Sequence, residues 1–569
     1  IDIRKSSKFI KMCGITLLYE YYKEQNDIRK VSSIQKHRGG DHQGIEEGEK
    51  YALGHERLSV CDLSAHGHQP FYSSDKKIKL IHNGEIYNHK HLKSKYKLKC
   101  NSGSDSEVIL RLYEEFEGKM DDVLELLDGM FSFVIIDEQR DKIIIARDRF
   151  GIKPLSYVAT EKGFGAASEI KVIASISEGK PIQNFKPGMV AEIDMTEPMK
   201  VTEEGEFVNY KQYYNPSWYE GRKIRRYHSE EMVKVSIRTL LIEAVHKRIP
   251  DIPFGIMLSG GLDSSLIAGI ASFIKRDMKI PTFSVGIGKE MNGNIVPLSQ
   301  DIINAREVAT FLGTDHHERL FTEEEVIASL REVIFAVESY DVTTIRGAIP
   351  MMFLAEEARK KVRCVLSGEG ADEIFCGYSY FGEAEDAWAL HVESIQKVRS
   401  LHVTDNQRVD RTTSYKTLEC RVPFMDTDFV DYCMTHIDPE LKVTHKDGIE
   451  KLILRTAFEE DSFISDASLN RSKIQLSDGV GYTYIDALKE HANHMVSTTD
   501  LENASKRWKV DTPKTKEAFL YRSIFSELFP GQDHLPFIWK TFEHVVDPSG
   551  RLQQQELQAI KRKKNEINL

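Results

Sequence analysis

Seven cysteines in 569 residues, widely spaced and with no CxxC pair, offer neither a disulfide framework nor a cysteine zinc site. Six of them (Cys61, Cys100, Cys364, Cys376, Cys420 and Cys433) read as reduced, mostly buried thiols of a cytoplasmic protein. Excess positive charge is also missing. The net charge is -11, and a general nucleic-acid binder needs a basic face. No apolar stretch is long enough to span a bilayer, and no signal-peptide pattern or internal repeat is present. His66-Gly67-His68 and His316-His317-Glu318 lack zincin spacing, so no metal is assigned to them.

What is present is ordinary in bulk, with 41% hydrophobic and 29% charged residues. A chain of this length exceeds a single core. From Cys13 to about Ile193, short strand-like runs (Ile78 to Ile81, Met130 to Ile136, Lys142 to Ala146) are broken by Gly, Asn and Asp. Ser104-Asp105-Ser106-Glu107 reads as a capping box opening a helix at Val108. Thr196 to Glu230 is polar, aromatic and irregular, as a connector is. From Met232 the pattern changes to helices alternating with apolar strands at Phe254 to Leu258, Thr282 to Val285 and Arg363 to Leu366. Helical runs Ser265 to Ile274 and Asn304 to Leu312 intervene. That alternation predicts a parallel sheet covered on both faces, with ligands at the carboxyl ends of its strands.

Two stretches carry chemistry. Met12-Cys13-Gly14-Ile15 offers a cysteine able to become the chain terminus, where its own α-amine is a base titrating near ~8. A thiol with such a base suits amide hydrolysis. Asn83-Gly84, after the strand Ile78 to Ile81, offers a side-chain amide and a backbone N–H to an oxyanion. Arg57 suits a carboxylate, and Glu85 and Asp105 suit an ammonium. The second stretch, Leu258-Ser259-Gly260-Gly261-Leu262-Asp263-Ser264-Ser265, leaves a strand and opens a helix, which makes an anion nest for phosphates. No Gly-Lys-Ser/Thr follows, so departure of pyrophosphate is favoured over transfer of a γ-phosphate. Asp263 offers a hard oxygen to Mg²⁺, and Ser367-Gly368-Glu369-Gly370-Ala371-Asp372 supplies another.

The first half resembles N-terminal-nucleophile glutaminase domains. Besides Cys13, the matching motifs in order are His37-Arg38-Gly39, His55-Glu56-Arg57-Leu58-Ser59, Asn83-Gly84-Glu85-Ile86-Tyr87-Asn88, Ser102-Gly103-Ser104-Asp105 and Arg147-Asp148-Arg149-Phe150-Gly151. Gly40 departs from the family's usual proline. The second half resembles the ATP-pyrophosphatase domain of glutamine-hydrolysing asparagine synthetases. The match extends through Asp341-Val342-Thr343-Thr344-Ile345-Arg346, Leu418 to Asp426, Ser477 to Tyr482 and Asp547 to Arg551. Cys376 stands where a glycine is usual.

The resemblance implies an αββα glutaminase sandwich joined to an α/β synthetase domain with a parallel sheet. The expected division is 1–12 as leader, remnant or pro-segment, 13–210 as glutaminase, 211–231 as connector, 232–545 as synthetase and 546–569 as charged tail. It implies Cys13 as nucleophile, Asn83 and Gly84 as oxyanion hole, and Arg57, Glu85 and Asp105 as glutamine contacts. For ATP it implies Leu258, Val285 and Gly368 against adenosine, with Ser259, Gly260, Gly261, Ser264, Ser265 and Ser367 as further contacts. Asp263 and Asp372 are the implied Mg²⁺-pyrophosphate ligands, and Lys473 stabilises charge during adenylation. Thr343 and Arg346 steady the α-phosphate or acyl-adenylate, and Glu369 accepts a proton as ammonia attacks. Glutamine, aspartate and ATP are the implied substrates, and a homodimer stays open. Three other readings remain at this stage: an amidotransferase for another carboxylate, a tRNA-modifying thiolase, and a non-catalytic binding protein. If the segment Ile1 to Lys11 stays attached, the Cys13 nitrogen is an amide and glutamine use is expected to fail.

Overall fold

The computed structural model describes residues 13–221, 229–291, 294–443, 450–473, 479–481 and 483–539. The leader 1–12, part of the connector, Ser477, Asp478, Tyr482, the Asp547 to Arg551 motif and the charged tail lie outside the described residues.

Two six-stranded antiparallel sheets form the first half. One runs in the order Gln183–Asn184, Ser156–Thr160, Gly163–Ala167, Gly14–Glu20, Tyr51–Arg57 and His42–Glu47. The other runs Tyr210–Gln212, Met189–Asp194, Lys142–Arg147, Gly129–Asp137, Ile78–Ile86 and Phe71–Tyr72. Side chains alternate along each strand, so Ile15, Leu17 and Tyr19 face Ile81, Val134, Ile143 and Ile145 between the sheets. The other face of the second sheet carries Leu80, Phe133 and Ile135 against the helices Glu107–Glu115 and Met120–Leu126. Opposite, Leu18 meets the helix Ile28–Ser33. The expected αββα layering is what forms.

Local expectations are corrected in two places. Asn83 and Gly84 lie inside the strand Ile78–Ile86, paired with Ser132 and Phe131, rather than after it. Ser104 to Glu107 forms no capping box. The helix starts at Glu107, whose carboxylate instead accepts the N–H groups of Asn101 and Ser102 at 3.0 and 2.8 Å.

In the second half, five parallel strands run Asp315–Phe321, Pro281–Met291, Phe254–Met257, Cys364–Leu366 and Glu419–Arg421, and Asn294–Pro297 folds back antiparallel on the second of these. The three apolar strands expected from the sequence sit at its centre. The helices Leu262–Ile274 and Gln300–Leu312 follow their strands as expected. Among the described residues, no helix is long and apolar enough to cross a membrane. The connector is less irregular than expected, because Trp218 is buried and its Nε1 donates to Asp431 at 2.8 Å.

Candidate active sites

Cys13 enters the strand Gly14–Glu20 at one wall of a small cavity shared with Arg57, Asn83, Gly84, Glu85 and Asp105. All six glutamine-site candidates are therefore together. The Leu58 N–H donates to the Cys13 Sγ at 3.3 Å. Burial pushes the thiol up to about 12, with that N–H and Arg57 only partly opposing. The resting group is a thiol, and its activation requires a base beside it. Asn83 Nδ2 donates to Ser168 Oγ at 3.3 Å, and the same oxygen accepts the Ile15 N–H at 3.0 Å. Ser168 thus ties the side-chain amide to the strand that carries the cysteine.

Gly84 has φ +152°, and a Cβ there would stand 2.0 Å from the Met130 carbonyl oxygen. Arg57 is aimed by two carbonyls: Nη1 donates to Ser64 O at 2.7 Å and Nη2 to Asp62 O. At the other end, Asp105 accepts the Ile86 N–H at 2.8 Å. Glu85 is raised to about 8, first by burial and then by the charge of Asp105, against the pull of Arg421 at 2.9 Å. Cys61 donates to Glu85 Oε1 at 2.8 Å.

The second site is a cleft of about 140 Å³ at the carboxyl ends of Phe254–Met257 and Cys364–Leu366. Gly260 takes φ +77°, and a Cβ on it would stand 2.6 Å from Ala305 N, so this turn requires glycine. Ser259 Oγ and Ser264 Oγ lie 3.1 Å apart and brace the loop internally. Leu258 and Val285 supply an apolar wall, and Ser367, Gly368 and Glu369 the facing loop. Gly260 and Ser265 support from behind and do not line the cleft, and Ser265 is 1% exposed.

Asp263 and Asp372 face each other across the ammonium of Lys451, which contacts Asp263 and lies 2.7 Å from Asp372 Oδ1. Lys473 Nζ donates to Asp372 Oδ2 at 2.5 Å. Burial alone lifts the Asp372 carboxyl, yet Lys451 and Lys473 hold it well below the usual carboxylate range. Burial pulls Lys473 down, and Asp372 and Asp263 outweigh it, so the ammonium stays charged. Asp263 Oδ1 is buried with no hydrogen-bond partner. Two hard carboxylates, one with an orphaned oxygen, fit Mg²⁺ arriving on a polyphosphate. Glu369 is raised, first by burial, against the charge of Arg408.

A glutamine amidotransferase domain model matches residues 12–202, and an asparagine synthase model matches 236–391 and 383–547. The chain is 40% identical to asparagine synthetase [glutamine-hydrolyzing] 2 of Arabidopsis thaliana, over 91% of this chain and 88% of that one. It is 38% identical to asparagine synthetase B of Escherichia coli K12, over 91% and 92%. A probable asparagine synthetase of Dictyostelium discoideum matches at 38% over 96% and 99%. The chain belongs to the glutamine-hydrolysing asparagine synthetase family.

Two residues that the family pattern points to are not brought into this cleft. Arg346 is 3% exposed and makes a bidentate pair with Glu517, at 2.9 and 2.6 Å. Thr343 lies near the start of the same helix, Val342–Ala358, with its Oγ1 buried and unpartnered. In the other direction, sequence reading missed Lys451, Arg455 and Arg471, which line the cleft from a segment with no phosphate motif. Nothing local marks them, since the stretch 451–473 carries four cations and four carboxylates.

The two sites are joined by buried ion pairs. Arg38 is fully buried; its Nε donates to the Cys13 carbonyl at 2.9 Å, and its Nη atoms hold Asp410 at 2.9 and 3.2 Å. Glu419 and Lys153 also line the Cys13 cavity, although Glu419 comes from the synthetase sheet.

Proposed function

We propose that this protein makes asparagine from aspartate and ATP, using ammonia released from glutamine in the same chain. The observation that carries this reading is Glu419. It lines the thiol cavity, and its strand pairs with Cys364–Leu366, which leads into the Ser367 loop of the nucleotide cleft. A carboxamide cleaved at Cys13 therefore releases ammonia against the sheet where an activated carboxylate waits.

In the first step the Cys13 sulfur attacks the glutamine carboxamide carbon, and a thioester forms as ammonia leaves. Water then cleaves the thioester to glutamate. Asn83 Nδ2 and the Gly84 N–H are assigned to the oxyanion, Arg57 to the α-carboxylate, and Glu85 with Asp105 to the α-ammonium. The base is the Cys13 α-amine, which exists only when the peptide bond to Met12 is absent. In the second site the aspartate β-carboxylate attacks the α-phosphorus, and pyrophosphate departs. Ser259, Gly261 and Ser264 would cradle phosphate, Leu258, Val285 and Gly368 would contact adenosine, and Asp263 with Asp372 would hold the metal. Bound Mg²⁺ supplies charge neutralisation at the phosphate oxygens. Lys473 and Lys451 place positive charge where negative charge builds on the departing pyrophosphate. Ammonia then displaces AMP from β-aspartyl-AMP, and Glu369 accepts the proton. The family pattern alone assigns Thr343 and Arg346 to the acyl-adenylate, since neither lines the cleft and Arg346 is held by Glu517. The free cysteines support a reducing, cytoplasmic setting.

The experiment is product analysis by mass spectrometry with ATP, Mg²⁺ and aspartate, comparing glutamine with ammonium, with the intact mass recorded on the same sample. Asparagine, AMP and pyrophosphate are expected from both donors when the chain starts at Cys13. From ammonium alone they are expected when residue 12 is retained, or in Cys13→Ala. AMP from neither donor refutes the aspartate assignment.

A further inference from the structure

Glu369 leaves the carboxyl end of the strand Cys364–Leu366 and borders the nucleotide cleft. Its Oε2 accepts from Arg408 Nη2 at 3.0 Å. Arg408 belongs to the helix Asp405–Tyr415 and stands behind Glu369 rather than among the residues that line the cleft. Its Nη1 pairs with Asp405 on the same helix. The other charged groups acting on Glu369 are Asp405, Lys473 and Asp372.

The helix that presents this guanidinium is itself fixed from both halves of the molecule. Asp410 grips Arg38, which holds the Cys13 carbonyl, and Ser414 Oγ accepts from Arg38 at 2.8 Å. Arg411 pairs with Glu338 at 2.8 Å and donates to the Ser168 carbonyl at 2.7 Å. Gly347 leaves the space through which the Arg408 side chain passes, since a Cβ there would stand 3.1 Å from its Cδ.

We propose that Arg408 is a positioning residue for Glu369, holding its carboxylate in the one orientation that meets the proton of the attacking ammonia. This rests on the reading of Glu369 as proton acceptor. In that step the nitrogen lone pair forms the C–N bond, the C–O bond to AMP breaks with its electron pair on AMP, and one nitrogen-bound proton passes to Glu369. A loop glutamate with rotatable side-chain angles reaches several orientations, and a guanidinium on an anchored helix selects among them. Arg408 does not line the nucleotide cleft, so adenylation is expected to proceed without it.

The test uses Arg408→Gln and Arg408→Lys with ammonium as nitrogen donor. Aspartate-dependent exchange of labelled pyrophosphate into ATP reads adenylation alone and also reports that the variants fold. Arg408→Gln is expected to keep exchange within about twofold, with the KM values for ATP and aspartate unchanged, while kcat for asparagine falls at least ~10-fold at saturating ammonium. Arg408→Lys, which keeps the charge but not the fork, recovers part of that loss. Exchange and synthesis falling together in both variants, or an unchanged kcat, overturns the proposal. Glu369→Gln separates the two readings. If it forms asparagine at the parent rate, the proton-acceptor reading fails. If it is inactive in amide formation while Arg408→Gln is not, only the role of Arg408 fails.

Discussion

Gly84 has neither the backbone angle nor the space for a side chain, because φ is +152° and the Met130 carbonyl oxygen lies 2.0 Å from where Cβ would be. Gly84→Ala is expected to separate the strands here, costing about 1–3 kcal/mol and moving the N–H assigned to the oxyanion. Glutamine-dependent activity should fall at least ~100-fold while ammonium-dependent activity persists, read by donor comparison. Nearby, burial holds His55 down to about 3 and His82 down to about 4. Below the ordinary histidine range the unfolded chain takes up protons that these folded rings refuse, so stability is full above about pH 6.5 and is lost on acidification towards pH 4, by up to ~1.4 kcal/mol per pH unit for each ring. Thermal melts at pH 7 and 5 check this, and His55→Gln should shallow the slope. At this scale Cys13, Asn83 and Asp105 were legible, since each stands in a short motif with its own chemistry. Lys451 was not, because its site partners Asp263 and Asp372 are distant in sequence and it takes φ +57° ahead of its helix.

Elements were readable where apolar residues set the period and unreadable where buried charge replaced it. Phe254–Met257 and Cys364–Leu366 are all buried, and their runs show it. Asp315–Phe321 hides its strand character behind polar residues that find partners in the sheet, as His316 does with Thr282 at 2.9 Å. The helix Asp405–Tyr415 has the composition of a solvated helix, yet Asp405, Asp410 and Arg411 are buried. Asp405 pairs with Arg408 one turn on, while Asp410 and Arg411 are compensated by residues far away in sequence. Glu338, fully buried, is one such residue: it accepts the N–H groups of Ile170 and Lys171 at 3.0 and 2.7 Å and pairs with Lys171 and Arg411. Glu338→Ala leaves two buried cations without this carboxylate and is expected to cost about 3–5 kcal/mol, seen as a lower urea midpoint.

Across the whole molecule, one apolar cluster runs from Leu18 and Ile28 of the sandwich to Ile237, Leu266 and Phe429 of the synthetase half. With Arg38 and Asp410 bonded across the same boundary, the halves are expected to unfold in a single calorimetric transition rather than two. The motif order made both folds legible, but the seam between them was not, because it is built from pairs separated by hundreds of positions. Lys451 carries a last consequence for the intact protein. By lying between Asp263 and Asp372 it gives these two carboxylates a covalently tethered counter-ion. Chelation with EDTA should therefore abolish turnover yet shift the melting temperature by less than about 1 °C, in contrast to proteins whose folding waits for their metal. On the proposed reading, magnesium serves the chemistry of this cleft and not the integrity of the fold.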